Sequence, residues 1–405
     1  MKSTASVAYS TARDSFRAGA EMSSRALSSG NMDACTFAFV FASSEHDSTE
    51  LLKGVRSVLG DQVGLAGGTS SGTITRDYIG YEGFNAGIMI IASGDIIFTA
   101  HLIDELKSGE FEAGQRAGKE IAGIHELENP NLLLFYDSVR SDSGAASPFY
   151  QATPILAGIE SQIDSFPATA GVGFATGLDL RKTELWNSDQ IISDGVLPVL
   201  ISGNIRMDTT IMHGCKPASD YHTITKVAGN LILEIDHRPA LDVVGDYHEK
   251  VEEIDWKNAM YMITIGVNTG EKYGPFREED YINRMVLGVD ESSGALVMVE
   301  GDLKEGQECQ LMRRCIETDM VADGALKLLD SLEGRKPLFA LYISCLGRIK
   351  KIFGTEKEEA SEIQETIGKK IPLLGIYSGT EIARINGKVM PLDWTGVLCI
   401  FSQSE

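Results

Sequence analysis

Three short apolar stretches decide the fold, and each ends in small polar residues. They are FAFVFASS (37–44), LLLFYDS (132–138) and LFALYISC (338–345). A nearly continuous apolar run of this length is typical of a strand that is buried on both faces. After each run come a helical segment, a second short strand and a cluster of glycine and hydroxyl residues. The sequence therefore predicts one strand–helix–strand unit that is used three times.

The segments between the paired strands carry helix signals. They are DSTELLKGVRSVLG (47–60), SGAASPFYQATPILAGIES (143–161) and TEKEEASEIQETIG (355–368). Asp47 with Glu50 and Thr355 with Glu358 have the spacing of capping boxes, and a glycine closes both segments. The middle segment is a weaker helix because Pro154 lies inside it.

The glycine and hydroxyl clusters are candidates for ligand contact. They are VGLAGGTSSG (63–72), TAGVGFATG (169–177) and IPLLGIYSGTE (371–381). Glycines let a backbone approach a ligand closely, and hydroxyls donate hydrogen bonds. The residues concerned are Gly67, Gly68, Thr69 and Ser71 in the first cluster, and Ser378 and Glu381 in the last. The clusters are not P-loops, since no lysine follows the glycines. A bulge or tight turn where a sheet bends is the structural alternative.

A second group of candidates follows the three apolar strands. In α/β sheets, ligands bind beyond the carboxyl ends of the strands. The polar residues there are Ser43, Ser44 and Glu45; then Asp137, Ser138 and Arg140; then Ser344, Cys345 and Arg348. Arg140 and Arg348 are able to pair with a ligand carboxylate through two hydrogen bonds. The alternative is that these polar residues only form turns and helix caps.

The region between the second and third units, at about 214–335, has a different pattern. A hairpin turning at Gly229 and Asn230, a short helix opened by Pro239 and several strands are expected. ECQLMRRCIETDMVADGALKLLDSLEG (308–334) predicts a long amphipathic helix.

Composition narrows the classes of partner. The chain has 58 acidic and 36 basic residues and a formal net charge of −22. Such a charge disfavours nucleic acid and anionic membranes, and it favours a zwitterionic or cationic ligand. The six cysteines form no CxxC pair, and the seven histidines show no metal-binding spacing. Without a signal peptide or a membrane-length apolar run, we expect a cytoplasmic protein.

Longer stretches resemble a known family. FVFAS and GLAGGTSSG resemble the FIST N-terminal domain. ITKVAGNLILEIDHRPALDVV, EGQECQLMRR, LYISCLGR and LLGIYSGTEIARINGKVMPLDWTG resemble the FIST C-terminal domain, in family order. The resemblance implies two domains, at 1–213 and 214–405, in an α/β fold of mixed, mostly buried sheets flanked by helices.

The same resemblance implies a function. It indicates a sensory module that binds small ligands such as amino acids and acts in signal transduction. Because the sequence ends at Glu405 without an output domain, we expect a separate downstream signalling partner. No cofactor is expected, although some related proteins bind haem. Three alternatives stay open: a thiol-dependent hydrolase or transferase that uses Cys345, a haem-binding sensor, and an interaction scaffold that has no small ligand.

Overall fold

The three predicted units are present, and each forms a four-stranded sheet with its own helices. The computed structural model describes residues 3–140, 148–177, 181–248, 263–315 and 319–404. In each sheet the strand order is first, fourth, second, third. The second and third strands are parallel and the other pairs are antiparallel. The predicted α/β class and the internal repeat are therefore confirmed.

Copies one and two of the repeat run without interruption. Copy one consists of β1 (Thr4–Ser10), α1 (Ser15–Gly30), β2 (Phe37–Ala42), α2 (Ser48–Leu59), β3 (Gly64–Thr69), β4 (Thr73–Thr75), β5 (Tyr78–Gly80) and β6 (Ala86–Ala92). Copy two consists of β7 (Ile96–Ala100), α3 (Glu110–Glu120), β8 (Asn131–Asp137), α4 (Ala152–Glu160), β9 (Ala168–Phe174), β10 (Leu185–Asn187), β11 (Ile191–Ile192) and β12 (Val196–Gly203).

Copy three is interrupted after its first strand by an inserted domain. The first strand is β13 (Arg206–Met212). The inserted domain consists of β14 (Cys215–Pro217), β15 (His222–Ala228), β16 (Leu231–Ile235), β17 (Arg238–Pro239), α5 (Ala240–His248), β18 (Ile263–Asn268), β19 (Tyr281–Asp290), β20 (Ala295–Met298) and β21 (Glu308–Arg314). Copy three then continues with α6 (Asp319–Asp330), β22 (Lys336–Cys345), α7 (Lys350–Phe353), α8 (Ala360–Ile363), β23 (Leu373–Ser378), β24 (Thr380–Ile385), β25 (Lys388–Leu392) and β26 (Gly396–Gln403).

Each copy gives a hairpin to the sheet of another copy. The β4–β5 hairpin of copy one pairs with β23 of copy three. The β10–β11 hairpin of copy two pairs with β3, and the β24–β25 hairpin of copy three pairs with β9. With the added hairpin, the sheet of each copy therefore has six strands, two of them from a different copy. Through this exchange, each copy is hydrogen-bonded to both of the others.

The core lies between the three sheets. The second strand of each copy sends a phenylalanine inward, and Phe39 lies 6.5 Å, between ring centroids, from both Phe135 and Phe339. The other face of β2 buries Ala38 and Val40 against α1 and α2. Because these strands are covered on both faces, their sequences are continuous apolar runs.

The inserted domain is an antiparallel sheet that closes on itself through β21 and β18. Its Glu300 carboxylate accepts hydrogen bonds from the amides of Ala152 at 2.9 Å and Thr153 at 3.1 Å, and so caps α4 of copy two. The predicted domain boundary at 213/214 falls directly after β13, whose partner β26 lies at the other end of the chain. That boundary stays a prediction.

Two helices differ from the sequence-based expectation. The long helix expected over 308–334 is wrong in its first part: Glu308–Arg314 is strand β21, and the helix spans Asp319–Asp330. Both faces of β21 are buried, which produces an apolar run that periodicity does not separate from a helix. In the third unit, the helix expected over 355–368 is an α-helix only at Ala360–Ile363 and a π-helix at Gln364–Gly368.

The first helix agrees with its capping signal. Asp47 accepts a hydrogen bond from the Glu50 amide at 2.9 Å, and Gly60 closes the helix at a φ of 88°. In the second unit the helix is Ala152–Glu160, and the expected residues 143–147 lie outside the described residues. Within the described ranges, none of the helices has the length and apolar character needed to cross a membrane.

Candidate functional site

A cleft of 230 Å³ lies where the second and third strands of copy one end. We call it the strand-end cleft. It is lined by Ser43, Ser44, Glu45, Ser70, Ser71, Tyr81, Glu82, Gly83, Thr176, Gly177 and Arg181. The residues 43–83 belong to copy one, and the residues 176–181 follow β9 of copy two. The cleft is therefore built by two copies.

The parallel pairing of β2 and β3 explains why the two serine pairs meet. The strands end at the same edge, and the Ser70 amide donates to the Ala42 carbonyl at 2.8 Å. Ser71 then joins all three copies. Its amide donates to Tyr377 of copy three at 3.3 Å, and its hydroxyl donates to the Ala175 carbonyl of copy two at 2.7 Å. The hydroxyl also accepts from the Gly177 amide at 2.9 Å.

Each copy has a residue at the position that Ser43 occupies in copy one. The backbone amide of this residue donates a hydrogen bond to the carbonyl of the residue directly before the last strand of the same copy. The pairs are Ser43 with Asn85 at 2.8 Å, Asp137 with Gly195 at 3.1 Å, and Cys345 with Thr395 at 3.1 Å. The repeat thus puts a serine, an aspartate and a cysteine at equivalent positions. Of these three, Ser43 lines the strand-end cleft, while Asp137 and Cys345 are buried elsewhere.

An ion pair crosses the strand-end cleft between copies. Arg181 Nη1 lies 2.6 Å from Glu45 Oε1, with 52% and 35% of the two side chains exposed. The Thr176 hydroxyl donates to the Arg181 carbonyl, which fixes the backbone of the arginine beside the cleft. A positive and a negative group are therefore presented side by side, next to the Ser43 and Ser71 hydroxyls.

The predicted residues Gly67, Gly68 and Thr69 contact the chain itself. A Cβ at Gly67 would lie 1.7 Å from the Val40 carbonyl oxygen and 2.7 Å from Trp186 Nε1. A Cβ at Gly68 would lie 2.5 Å from the Phe174 ring, and Thr69 Oγ1 accepts from the Glu184 amide at 2.8 Å. The glycines let the hairpin of copy two approach β3 closely. A ligand role for them stays a prediction.

Arg348 is enclosed in copy three. It is buried, and its guanidinium donates to Glu359 Oε1 at 2.8 Å and to the carbonyls of His213 and Trp394. The coulombic attraction of Glu359 raises the pKa of this guanidinium against the opposing effect of burial. These partners belong to the protein, so Arg348 would have to leave them to reach a ligand.

Cys345 and Ser344 are also inside the protein. Burial, with the Glu381 carboxylate nearby, raises the pKa of the Cys345 thiol. A reactive cysteine needs the opposite shift, toward the thiolate. The Ser344 carbonyl accepts the Ser378 hydroxyl at 2.9 Å. This environment argues against Cys345 as a nucleophile.

Ser378 and Glu381 form a buried pair, with the Ser378 hydroxyl 2.6 Å from Glu381 Oε1. The Thr395 amide donates to the other carboxyl oxygen at 3.1 Å. Burial raises the pKa of Glu381 to about 8, so this carboxyl is protonated at neutral pH. It holds the turn between β23 and β24 to the start of β26.

Arg140 lies apart from the strand-end cleft. Its Nη1 donates to Glu110 Oε1 at 3.0 Å, and its guanidinium lies 4.4 Å from the centroid of the Tyr150 ring. Of the predicted residues, the structure thus brings Ser43, Ser44, Glu45 and Ser71 together in one cleft. The other predicted residues do not line this cleft.

Sequence reasoning missed Arg181 as a site residue. It follows β9 of copy two, and nothing in its neighbourhood in the sequence marks it. Arg181 could have been identified only by predicting that β10 pairs with β3. The chain between β9 and β10 must then pass copy one.

A larger cavity of 940 Å³ separates the inserted domain from copies two and three. Its walls combine apolar side chains, such as Leu156 and Leu303, with polar and charged ones, such as Glu160. Arg284 at this cavity is buried and is bound by Asp302 and by the Pro391 carbonyl at 2.9 Å. As far as the described residues define the two cavities, neither is lined by histidine or cysteine.

Comparison with known proteins identifies a family and relatives that match most of the chain. The FIST N domain model matches residues 36–238, and the FIST C domain model matches residues 240–384. An uncharacterised protein of Mycobacterium bovis is 25% identical over 315 residues, which cover 69% of this chain and 80% of the relative. An uncharacterised protein of Mycobacterium tuberculosis is 24% identical over 316 residues, covering 69% and 81%.

Solved structures give a more distant likeness. The crystal structure of a cyanuric acid hydrolase from A. caulinodans aligns over 100% of both chains, with a TM-score of 0.37 and 8% sequence identity. A likeness at this level supports no conclusion about activity.

Proposed function

The chain belongs to the FIST family, whose domains are generally sensory modules, and we propose that it senses a small zwitterionic ligand of the amino-acid type. The ligand binds in the strand-end cleft and the signal passes to a separate partner protein. The observation that carries the proposal is the Glu45–Arg181 ion pair beside the serine hydroxyls.

The charges of the strand-end cleft match those of an amino acid. An ammonium group pairs with the Glu45 carboxylate, and a carboxylate pairs with the planar fork of Arg181. The Ser43 hydroxyl accepts from the Asn85 amide at 3.3 Å and lies at the wall of the cleft. A ligand with a single charged group would pair with only one of Glu45 and Arg181, and an uncharged ligand would pair with neither.

The volume also favours a small ligand. Sites for drug-sized molecules usually enclose about 300–1,000 Å³. The strand-end cleft, at 230 Å³, is smaller and suits a molecule of amino-acid size.

The position of the cleft between copies explains how ligand binding would change the structure. Glu45 belongs to copy one and Arg181 to copy two, and Ser71 contacts copies two and three. A ligand that holds Glu45 and Arg181 apart changes the contact between copies. Such a change at a junction is the kind of event that a sensory module passes to a partner.

The experiment is a thermal-unfolding screen against amino acids and related metabolites. A ligand at about 100 times its Kd stabilises the folded state by about 2.7 kcal/mol, which raises the Tm measurably. We expect a saturable rise for some zwitterion, and no rise for the Arg181→Gln variant. A flat response across the panel would overturn the proposal. An equal rise in Arg181→Gln would move the site elsewhere, with the 940 Å³ cavity as the next candidate.

A further inference from the structure

We propose that the outer edge of β1 is a docking groove for an acidic, extended segment of a partner protein, which adds to the sheet as a further strand. The groove has a volume of 630 Å³. We call it the β1 groove. It is lined by residues 5–9 of β1, by Ser24, Arg25 and 28–30 of α1, by 75–77 in the β4–β5 hairpin, and by 368–372 before β23.

The edge of β1 is suited to accept a strand. β1 is the last strand of its sheet and pairs with β6 along its whole length. On its other side, no strand in the described part of the chain pairs with it. Alternate backbone N–H and C=O groups of an edge strand point outward, where they can pair with an added strand. Arg25, which lines the groove, has its Nη1 3.4 Å from the Tyr9 carbonyl oxygen. A side chain in the groove therefore contacts the backbone edge of β1.

The first strands of copies two and three, β7 and β13, are also the end strands of their sheets, and each has polar contacts beside it. In copy two, the neighbouring hairpin closes on the first strand, and Asn187 Nδ2 donates to the Ala100 carbonyl of β7 at 3.3 Å. In copy three, Glu278 of the inserted domain accepts from the amides of His213 at 2.5 Å and Gly214 at 2.6 Å, just after β13. In copy one, Tyr78 of the β4–β5 hairpin stacks on Tyr9 of β1 with the ring centroids 4.4 Å apart, and the β1 groove lies beside this contact.

The charged side chains that line the β1 groove favour an acidic partner. Four basic side chains line the groove, Arg25, Arg76, Lys369 and Lys370, against one acidic side chain, Asp77. Asp77 lies 3.6 Å from Arg76, and two acidic side chains outside the lining, Glu21 and Glu365, pair with Arg25 and Lys369. The lining itself is basic, although the whole chain carries a net charge of −22. An acidic polypeptide satisfies both the basic side chains and the main-chain edge.

The β1 groove and the strand-end cleft share one element. The β4–β5 hairpin contributes Arg76 and Asp77 to the groove, and the segment directly after it contributes Tyr81, Glu82 and Gly83 to the cleft. This placement suits a surface that passes a signal onward. The docking itself does not depend on a ligand in the cleft.

The test uses fluorescently labelled peptides and anisotropy at low ionic strength. The probe is a peptide of alternating Glu and Val, about ten residues long, which spans an edge strand such as β1. One comparison peptide has Lys in place of Glu, and another has Pro in place of every second Val and so lacks the donors that a strand needs. We expect the Glu–Val probe to bind at least about tenfold tighter than either comparison peptide.

Matched protein variants locate the site. The double variant Arg76→Glu with Lys370→Glu should weaken probe binding at least about tenfold. The double variant Lys119→Glu with Lys327→Glu makes the same charge change at exposed lysines of α3 and α6, and should bind as the parent protein does. The proposal is overturned if the Glu–Val probe does not bind, if the Pro-containing peptide binds equally well, or if Arg76→Glu with Lys370→Glu leaves its binding unchanged.

Discussion

Arg181 Nη1 lies 2.6 Å from Glu45 Oε1, and this contact joins the second copy of the repeat to the first at the strand-end cleft. Both side chains are partly exposed to water. An exposed ion pair contributes only about 0–1 kcal/mol to stability, so little is lost when it opens. A ligand that brings its own ammonium and carboxylate can therefore take both partners.

The close approach of Trp186 to β3 makes Gly67 sensitive to substitution. Gly67→Ala would place a Cβ against the Val40 carbonyl, where Trp186 Nε1 also donates at 3.1 Å. Forced overpacking in a core costs about 1–3 kcal/mol, and we expect at least that loss in the free energy of unfolding by urea. Gly94→Ala is the control, since nothing lies within 4 Å of its added Cβ. Equal stability of the two variants would show that the hairpin of copy two does not pack as described.

The cysteines should differ in their reaction with iodoacetamide. Cys315 is partly exposed, whereas Cys345 is buried and its thiol pKa is raised. We expect native protein near neutral pH to be alkylated first at Cys315, with Cys345 unmodified until the protein unfolds. Peptide mass spectrometry of protein alkylated with and without urea measures the modified fraction of each cysteine. Early labelling of Cys345 would contradict its buried position and revive a thiol-dependent activity.

Buried carboxyls give the stability a defined pH dependence. Burial raises the pKa of Glu381 to about 8, and burial likewise raises the pKa of Asp137 to about 7, of Glu300 to about 7 and of Asp393 to about 6. Each of these carboxyls stays protonated in the folded protein at pH values where the same carboxyl of the unfolded chain is already ionised. Their contribution to the free energy of unfolding is therefore fully present below about pH 4 and is lost as pH rises toward 8.

The variant Glu381→Gln isolates one of these groups. We expect the free energy of unfolding to fall less steeply between about pH 5.5 and 7.5 in Glu381→Gln than in the parent protein, by up to about 1.4 kcal/mol per pH unit. Glu365→Gln, at an exposed carboxylate, is the control and should keep the parent slope. Identical slopes for Glu381→Gln and the parent would mean that Glu381 is ionised in the folded protein.

The sequence was informative where local patterns decide the structure. The apolar runs around Phe39 and Phe135 predict their strands, since burial on both faces leaves a continuous run. The Asp47 cap predicts the start of α2. The exchange of hairpins is not local: pairing of Trp186 with Gly67 joins residues of different copies, and no spacing along the chain encodes it.

The same limit applies to the site. Ser43 and Ser71 could be predicted, because both follow short buried strands of the same unit. Arg181 enters the strand-end cleft from another copy, so only the folded structure places it there. For Arg348 the outcome is the reverse: its position after a strand predicted ligand contact, but it binds the carbonyl of His213, which directly follows β13.

Isothermal titration calorimetry tests the central claim, that Glu45 and Arg181 recognise the two charges of one ligand. The titrants are the most stabilising amino acid from the screen and its analogue without the amino group. In the parent protein, loss of the ammonium should weaken binding at least about tenfold, which corresponds to about 1.4 kcal/mol. In Glu45→Gln the two titrants should bind with nearly equal affinity, because the partner of the ammonium is gone. The same loss in both proteins would contradict the account.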